Sequence, residues 1–208
     1  MPAATRKKSP YSVHPGVKMV QGWIETLPAK TGRSLEQWIA LVEKAGPKDT
    51  AGRREWLGKK HGLGTNAAWW MADRAEGKGL EDSDPAAYLA AAEKYVEAQY
   101  AGKKSALRPI YDALLDLGLA VAKDVRACPC KSMVPLYRNH VFAEIKPTTR
   151  TRVDLGFALG DTQTPKRLVD TGGSQKKDRI TRRISITSTK DIDAEVKRWL
   201  KAAYRMDA

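Results

Sequence analysis

A chain of 208 residues, 42% hydrophobic and 29% charged, has the make-up of a globular protein with one large domain or two small ones, each long enough to bury a core. No stretch approaches the roughly 20 apolar residues of a membrane span, and the basic start MPAATRKKSPYS leads into no apolar segment, so neither a spanning helix nor a signal peptide is read. The net charge of +13 disfavours cationic partners and points to polyanions.

In chain order, residues 1–13 read as a disordered basic leader. Val17, Val20, Trp23, Ile24 and Leu27 then recur at steps of three and four, one apolar stripe of a helix, with Pro28 and Gly32 expected to stop it. Ser34 with Gln37 three residues on makes a capping box for SLEQWIALVEKAG. Thr50 is expected to cap a third helix that runs to Gly62, and Thr65 a fourth, TNAAWWMADRA. Residues 14–76 are therefore expected to form a bundle of four short helices.

Residues 77–101 read as a linker, Gly- and acid-rich at first, followed by a connector helix from Pro85. A further helix from near Ser105 carries Leu107, Ile110, Tyr111, Leu114 and Leu117 on one face. After Gly118 the period changes to two. In TRVDLGFAL, Val153, Leu155, Phe157 and Leu159 alternate with Arg152, Asp154 and Gly156, the pattern of a half-buried strand. SMVPLYR, HVFAEIKP, KRLVDTG and RRISITS are the other expected strands, the first at an edge or bulged because of Pro135. A last helix presents Ile192, Val196, Trp199, Leu200 and Ala203 on one stripe. The fold class is α+β: an all-helical N-terminal bundle and, over 102–208, a mainly antiparallel sheet flanked by helices.

Charge is uneven along the chain. Residues 1–100 hold 15 Lys/Arg against 12 Asp/Glu, whereas 101–208 hold 22 against 12. A basic region of that kind attracts nucleic acid or another polyanion by counterion release; the bland reading is a solvated surface. The two cysteines, Cys128 and Cys130, are separated by one proline, too close for an unstrained disulfide. Free thiols fit a cytoplasmic location.

TGRSLEQWIALVEKAG followed by REWLGKKHGLGTNAA resembles the bacterial family known as domain of unknown function 4287, most recognisably in Leu-Glu-Gln-Trp and His-Gly-Leu-Gly. VFAEIKPTTRTRVDLGFAL and RISITSTKDIDAEVKRWLKAAY resemble domain of unknown function 5655. The resemblance implies an architecture and brings no catalytic motif.

Two segments have the form of anion sites. HGLGTNAA presents Gly62, Gly64 and Thr65 as backbone donors beside Lys59 and Lys60, like the hairpin of helix-hairpin-helix modules. It reads first, however, as the left-handed cap of a helix corner. The Gly-rich TGGSQKKDRITRR offers Lys176, Lys177, Arg179, Arg182 and Arg183, and KPTTRTR offers Lys146, Arg150 and Arg152. Tyr137, Phe142 and Tyr111 read first as core rather than as base-stacking groups. Glu144 and Asp154 fall in outward phase beside Lys146 and Arg152, the arrangement of surface salt bridges. Cys130 with His140 is the one conceivable nucleophile pair, and two thiols are too few for zinc.

The sequence thus predicts a non-enzymatic, polyanion-binding protein without cofactor or metal, its partner being nucleic acid held by the basic loops of the C-terminal domain. The alternatives are a protein-interaction module anchored on Trp56, Trp69 and Trp70, and a small-anion pocket lined by Lys146, Arg152 and Tyr137.

Overall fold

Helix caps set the first elements. In the computed structural model, which describes residues 9–161 and 165–208, His14 Nδ1 accepts from Gly16 N–H at 2.9 Å and opens α1 (Pro15–Thr31). Pro28 does not end this helix, as the sequence suggested; the chain stays helical past it and stops at Gly32. The capping box of α2 (Leu35–Ala45) is present as expected, Ser34 and Gln37 exchanging bonds of 2.8 and 3.3 Å. Two expected caps are displaced by one residue. Asp49 caps α3 (Thr50–His61), a carboxylate being the stronger acceptor, and the Thr50 hydroxyl turns to Glu76. Gly64, without a side-chain bond, caps α4 (Thr65–Arg74).

The chain divides into two units, one of them Val13–Leu89. Its core is Leu27, Leu35, Trp38, Val42, Leu57, Leu63, Ala68, Met71 and Ala72. Trp38 donates to Thr31 Oγ1 at 2.9 Å, and the rings of Trp38 and Trp56 meet His61 edge-on at 5.5 and 4.3 Å.

Burial lowers the pKa of both His14 and His61, with Lys60 and Arg33 adding to the effect at His61. The unfolded chain therefore takes up protons first, and stability falls as pH drops below the ordinary imidazole value of about 6.5. We expect the melting temperature of the helical unit, followed by tryptophan fluorescence, to fall between about pH 7 and about pH 5. The fall should be smaller in His61→Gln; a pH-independent transition would contradict the packing described.

The other unit comprises Ala90–Ala208 and the segment up to Ser12, so the division falls inside α5 (Pro85–Gln99) rather than at the acid-rich linker. Residues 1–8 of the expected leader lie outside the described residues. Its next residues are not free: Tyr11 bridges Ala127, and the Tyr11 and Tyr111 hydroxyls lie 3.0 Å apart.

After a 3-10 turn at Gly102–Leu107 come α6 (Arg108–Leu119), β1 (Arg126–Ala127), β2 (Val134–Tyr137), β3 (Val141–Lys146), β4 (Val153–Phe157), β5 (Val169–Asp170), β6 (Arg182–Ile186) and α7 (Ala194–Met206). The strands form one antiparallel sheet in the order β1-β2-β3-β4-β6-β5. Strand β1 is too short to announce itself in the sequence. It makes β2 an interior strand, so Pro135 marks a bulged strand rather than an edge. The register slips between Leu136 and Tyr137, and the extra residue opposite is Phe142. That slip turns Phe142 inward beside Ala143, and both are fully buried.

One face of the sheet carries Leu136, Ile145, Val153, Leu155, Phe157 and Ile184 into a core shared with Ile110, Tyr111 and Leu114 of α6 and Val196, Leu200 and Ala203 of α7. The opposite face is polar and in register: Glu144 pairs with Gly156, and Gly156 with Arg183; Lys146 pairs with Asp154, and Asp154 with Ser185.

Candidate functional site

The polar face is partly roofed by the chain from Thr171 to Ile180. A β-carbon on Gly156 would lie 2.6 Å from Ile180 Cγ2 and 2.9 Å from Glu144 Cγ, so glycine here lets the roof close onto the sheet. Beneath it is a cavity of about 360 Å³ lined by Glu144, Lys146, Asp154, Asp170, Asp178 and Arg183 among others. The sequence pattern put Glu144 and Asp154 on an open surface. That is corrected: Asp154 is only 6% exposed, held by Arg152 at 3.0 Å, Arg183 at 3.2 Å and Ser185 Oγ at 3.0 Å. Alternation identifies a strand's second face but not what covers it.

Glu144 is treated differently by the fold. Its carboxylate makes no hydrogen bond or ion pair among the described residues. Burial pushes its pKa up; Lys146 pulls it down, and Asp178 and Asp154 push it further up.

Lys146 and Thr148 also line a second cavity, of about 560 Å³, at the end of α5 and the start of the β3–β4 hairpin. Its charged lining is Lys103, Lys104, Lys131, Lys146 and Arg150, with no carboxylate. Lys104 is fixed by donating to the Pro147 carbonyl, whereas Lys103, Lys131 and Arg150 are exposed. Gln99, only 7% exposed, is also part of the wall. Its Nε2 donates to Cys130 O at 2.7 Å, and its buried Oε1 has no partner among the described residues.

Residues 96–207, more than half of the chain and containing both cavities, match the model described as Domain of unknown function (DUF5655). The chain belongs to the DUF5655 family. Residues 20–76 match Domain of unknown function (DUF4287). No curated protein and no solved structure matches the chain.

Within the DUF5655 part, the predicted basic residues separate into two groups. Arg152 and Arg183 neutralise Asp154. Arg179 bonds Asp207 at 2.7 Å and the Val141 carbonyl. Arg182, 8% exposed, bonds Asp170 and the Thr181 carbonyl. These four arginines hold the fold together. Lys146 and Arg150 line the cationic cleft, while Lys176 and Lys177 stand exposed on the roof loop. Lys103, Lys104 and Lys131 were missed because they lie outside the Gly-rich basic loops and only the topology gathers them.

Tyr137 and Arg152 line neither of these two cavities, and burial pushes the Tyr137 hydroxyl up to about 12. Burial likewise raises the thiol of Cys128, to about 12, and that of Cys130. Both stay protonated near neutrality, which removes the nucleophile. His140 pairs with Asp207 at 3.0 Å rather than with Cys130. Among the described residues no group of three His, Cys, Asp or Glu is placed to hold a metal, and no helix is long and apolar enough to cross a membrane.

In the segment matching DUF4287, Gly62 takes φ 68° and caps α3, its N–H donating to Gly58 O at 3.1 Å. Only a residue free of the Cβ penalty turns this corner cheaply. A β-carbon at Gly64 would meet nothing within 4 Å. Thr65 begins α4 and is exposed, Lys59 pairs with Glu55 at 2.6 Å, and Lys60 lies over Trp56. Trp56 and Trp70 are half-buried, Trp70 against Trp23, and Trp69 is 52% exposed beneath Arg54.

Proposed function

We propose that this DUF5655 protein binds nucleic-acid phosphates in the cationic cleft of its C-terminal unit, as a binding protein rather than an enzyme. One observation carries the reading: five cations from separate parts of the chain line one cavity that contains no carboxylate. On the sheet of this unit, by contrast, Arg152, Arg179, Arg182 and Arg183 each face an acid. Uncompensated cations repel one another, and a polyanion relieves that repulsion while releasing its own counterions. The free thiols fit a reducing, cytoplasmic setting.

The helix corner at Gly62 and the lysines of the roof loop are secondary in this proposal. Binding of a fluorescent single-stranded oligonucleotide, followed by anisotropy between about 50 and about 300 mM salt, tests it. Neutralising three or four phosphates gives a slope of log affinity on log salt of about −2 to −3. A slope near zero, or no binding at the lowest salt, overturns it. Inorganic pyrophosphate that displaces the strand at stoichiometric concentration would shift the reading to a small anion.

A second reading, a protein partner docked on the helical unit, rests on Trp69. Of Trp56, Trp69 and Trp70 it alone is exposed, with Arg54 over its ring.

A further inference from the structure

The cleft and the roofed cavity adjoin, sharing Lys146 and Thr148, yet their chemistry is opposite. One offers only positive charge. The other offers Glu144, a half-buried carboxylate that the rest of the described chain leaves without a hydrogen bond or ion pair, although Arg183 and Lys146 line the same cavity. The neighbouring Asp154 shows what this fold does with an acid it needs structurally: two arginines and a serine hold it. Glu144 receives nothing of the kind.

An acceptor left open in a cavity suits a ligand that brings hydrogen-bond donors. Gln99 in the cleft wall is no second acceptor of this kind, because its Oε1 is sealed from the cleft. Phosphate oxygens cannot donate to Glu144, so the expected ligand carries phosphate and donor groups in one molecule. Glu144 and Lys146 stand two residues apart on one strand face, about 7 Å, roughly the distance from a phosphate to the sugar or base of its own nucleotide.

We infer that the two cavities form one nucleotide site, in which the cleft holds the phosphate and Glu144 accepts from the amine groups of the base. This rests on the cleft reading above and adds what the cleft alone lacks, a means of telling a nucleotide from a bare phosphate chain. The site takes an unpaired nucleotide, because a duplex buries its base donors and does not enter a cavity of about 360 Å³. A divalent metal is the weaker occupant: Asp154 is already neutralised, and no third ligand is in place among the described residues.

The test compares three single strands of equal length, RNA, DNA and an abasic ribose-phosphate chain, on the wild-type chain and on Glu144→Gln. The wild type is expected to bind RNA or DNA at least about tenfold more tightly than the abasic strand, the effect of one bond to a charged acceptor. Glu144→Gln should bring that preference to within about twofold, with the abasic strand bound more tightly than before because a negative charge beside the phosphates is gone. If abasic and intact strands bind the wild type equally, or if the preference survives in Glu144→Gln, the inference fails and the cleft reading stands. If no strand binds, both fail. Removing an unpartnered, partly desolvated carboxylate should leave the melting temperature at or above that of the wild type, so loss of preference is not explained by loss of fold.

Discussion

Replacing Phe157 with alanine is expected to cost the C-terminal unit about 3–5 kcal/mol of stability. Phe157 ends β4, the strand flanked by β3 and β6, and lies opposite Ala143 on one side and Arg182 on the other. It is fully buried, in one core with Leu159, Leu168 and the α7 residues Leu200 and Ala203. Collapse into the vacated space is hindered because paired strands fix the backbone on both sides. The cavity term therefore adds to the lost transfer free energy instead of relaxing away. Urea unfolding followed by far-ultraviolet circular dichroism reads the change as a lowered midpoint. Val169→Ala on the edge strand β5, where Val169 is 40% exposed, serves as control and should stay within about 0.5 kcal/mol. A loss below about 1 kcal/mol at Phe157 would place the core elsewhere.

The largest functional effect is expected from reversing charge in the cleft. Lys103→Glu combined with Lys131→Glu should weaken binding of a single-stranded oligonucleotide by about a hundredfold or more at low salt. The salt dependence should flatten by about 0.7 for each phosphate that is no longer neutralised. Both side chains are exposed and make no hydrogen bond or ion pair among the described residues, so the fold should be indifferent to the change. The matching change on the roof loop, Lys176→Ala with Lys177→Ala, should alter affinity by no more than about threefold. Arg183→Ala would be a misleading probe: it takes a partner from the buried Asp154, and any lost binding would reflect a damaged sheet. Anisotropy on the two double variants reads the difference directly.

The helices were legible because their signals are local. The Ser34–Gln37 box, the stripe through Val196 and Leu200, and the glycine beyond α3 each operate within a turn or two of chain. Where two local signals compete the expectation slipped, as at Asp49 against Thr50 and at Pro28, which α1 tolerates near its end. Alternation gave β4 its inward face and left open what covers the other, since the covering Ile180 lies 24 residues beyond Gly156.

The excess of positive charge in the second half was also legible, but its location on the surface was not. Arg183 meets Asp154, Arg179 meets Asp207 and Arg182 meets Asp170 across 12 to 29 residues of sequence. Such pairings depend on strand order. Likewise Lys103, Lys131 and Arg150 form one lining only because the 3-10 turn after α5, the turn before β2 and the β3–β4 hairpin converge. In the basic loop that looked most like a contact site, Arg179, Arg182 and Arg183 are engaged by carboxylates while Lys176 and Lys177 stay exposed, and the cleft is lined mainly by lysines unremarkable in sequence.

The decisive measurement is where a bound strand touches the protein. A single-stranded oligonucleotide bearing a photoreactive base would be cross-linked to the full chain, and the attached peptides read by mass spectrometry. Cross-links are expected in peptides bearing Lys131 and residues 144–150, around the cleft and Glu144. Cross-links confined to the corner at 59–65 or to the loop at 174–177, or none above background, would contradict binding in the cleft.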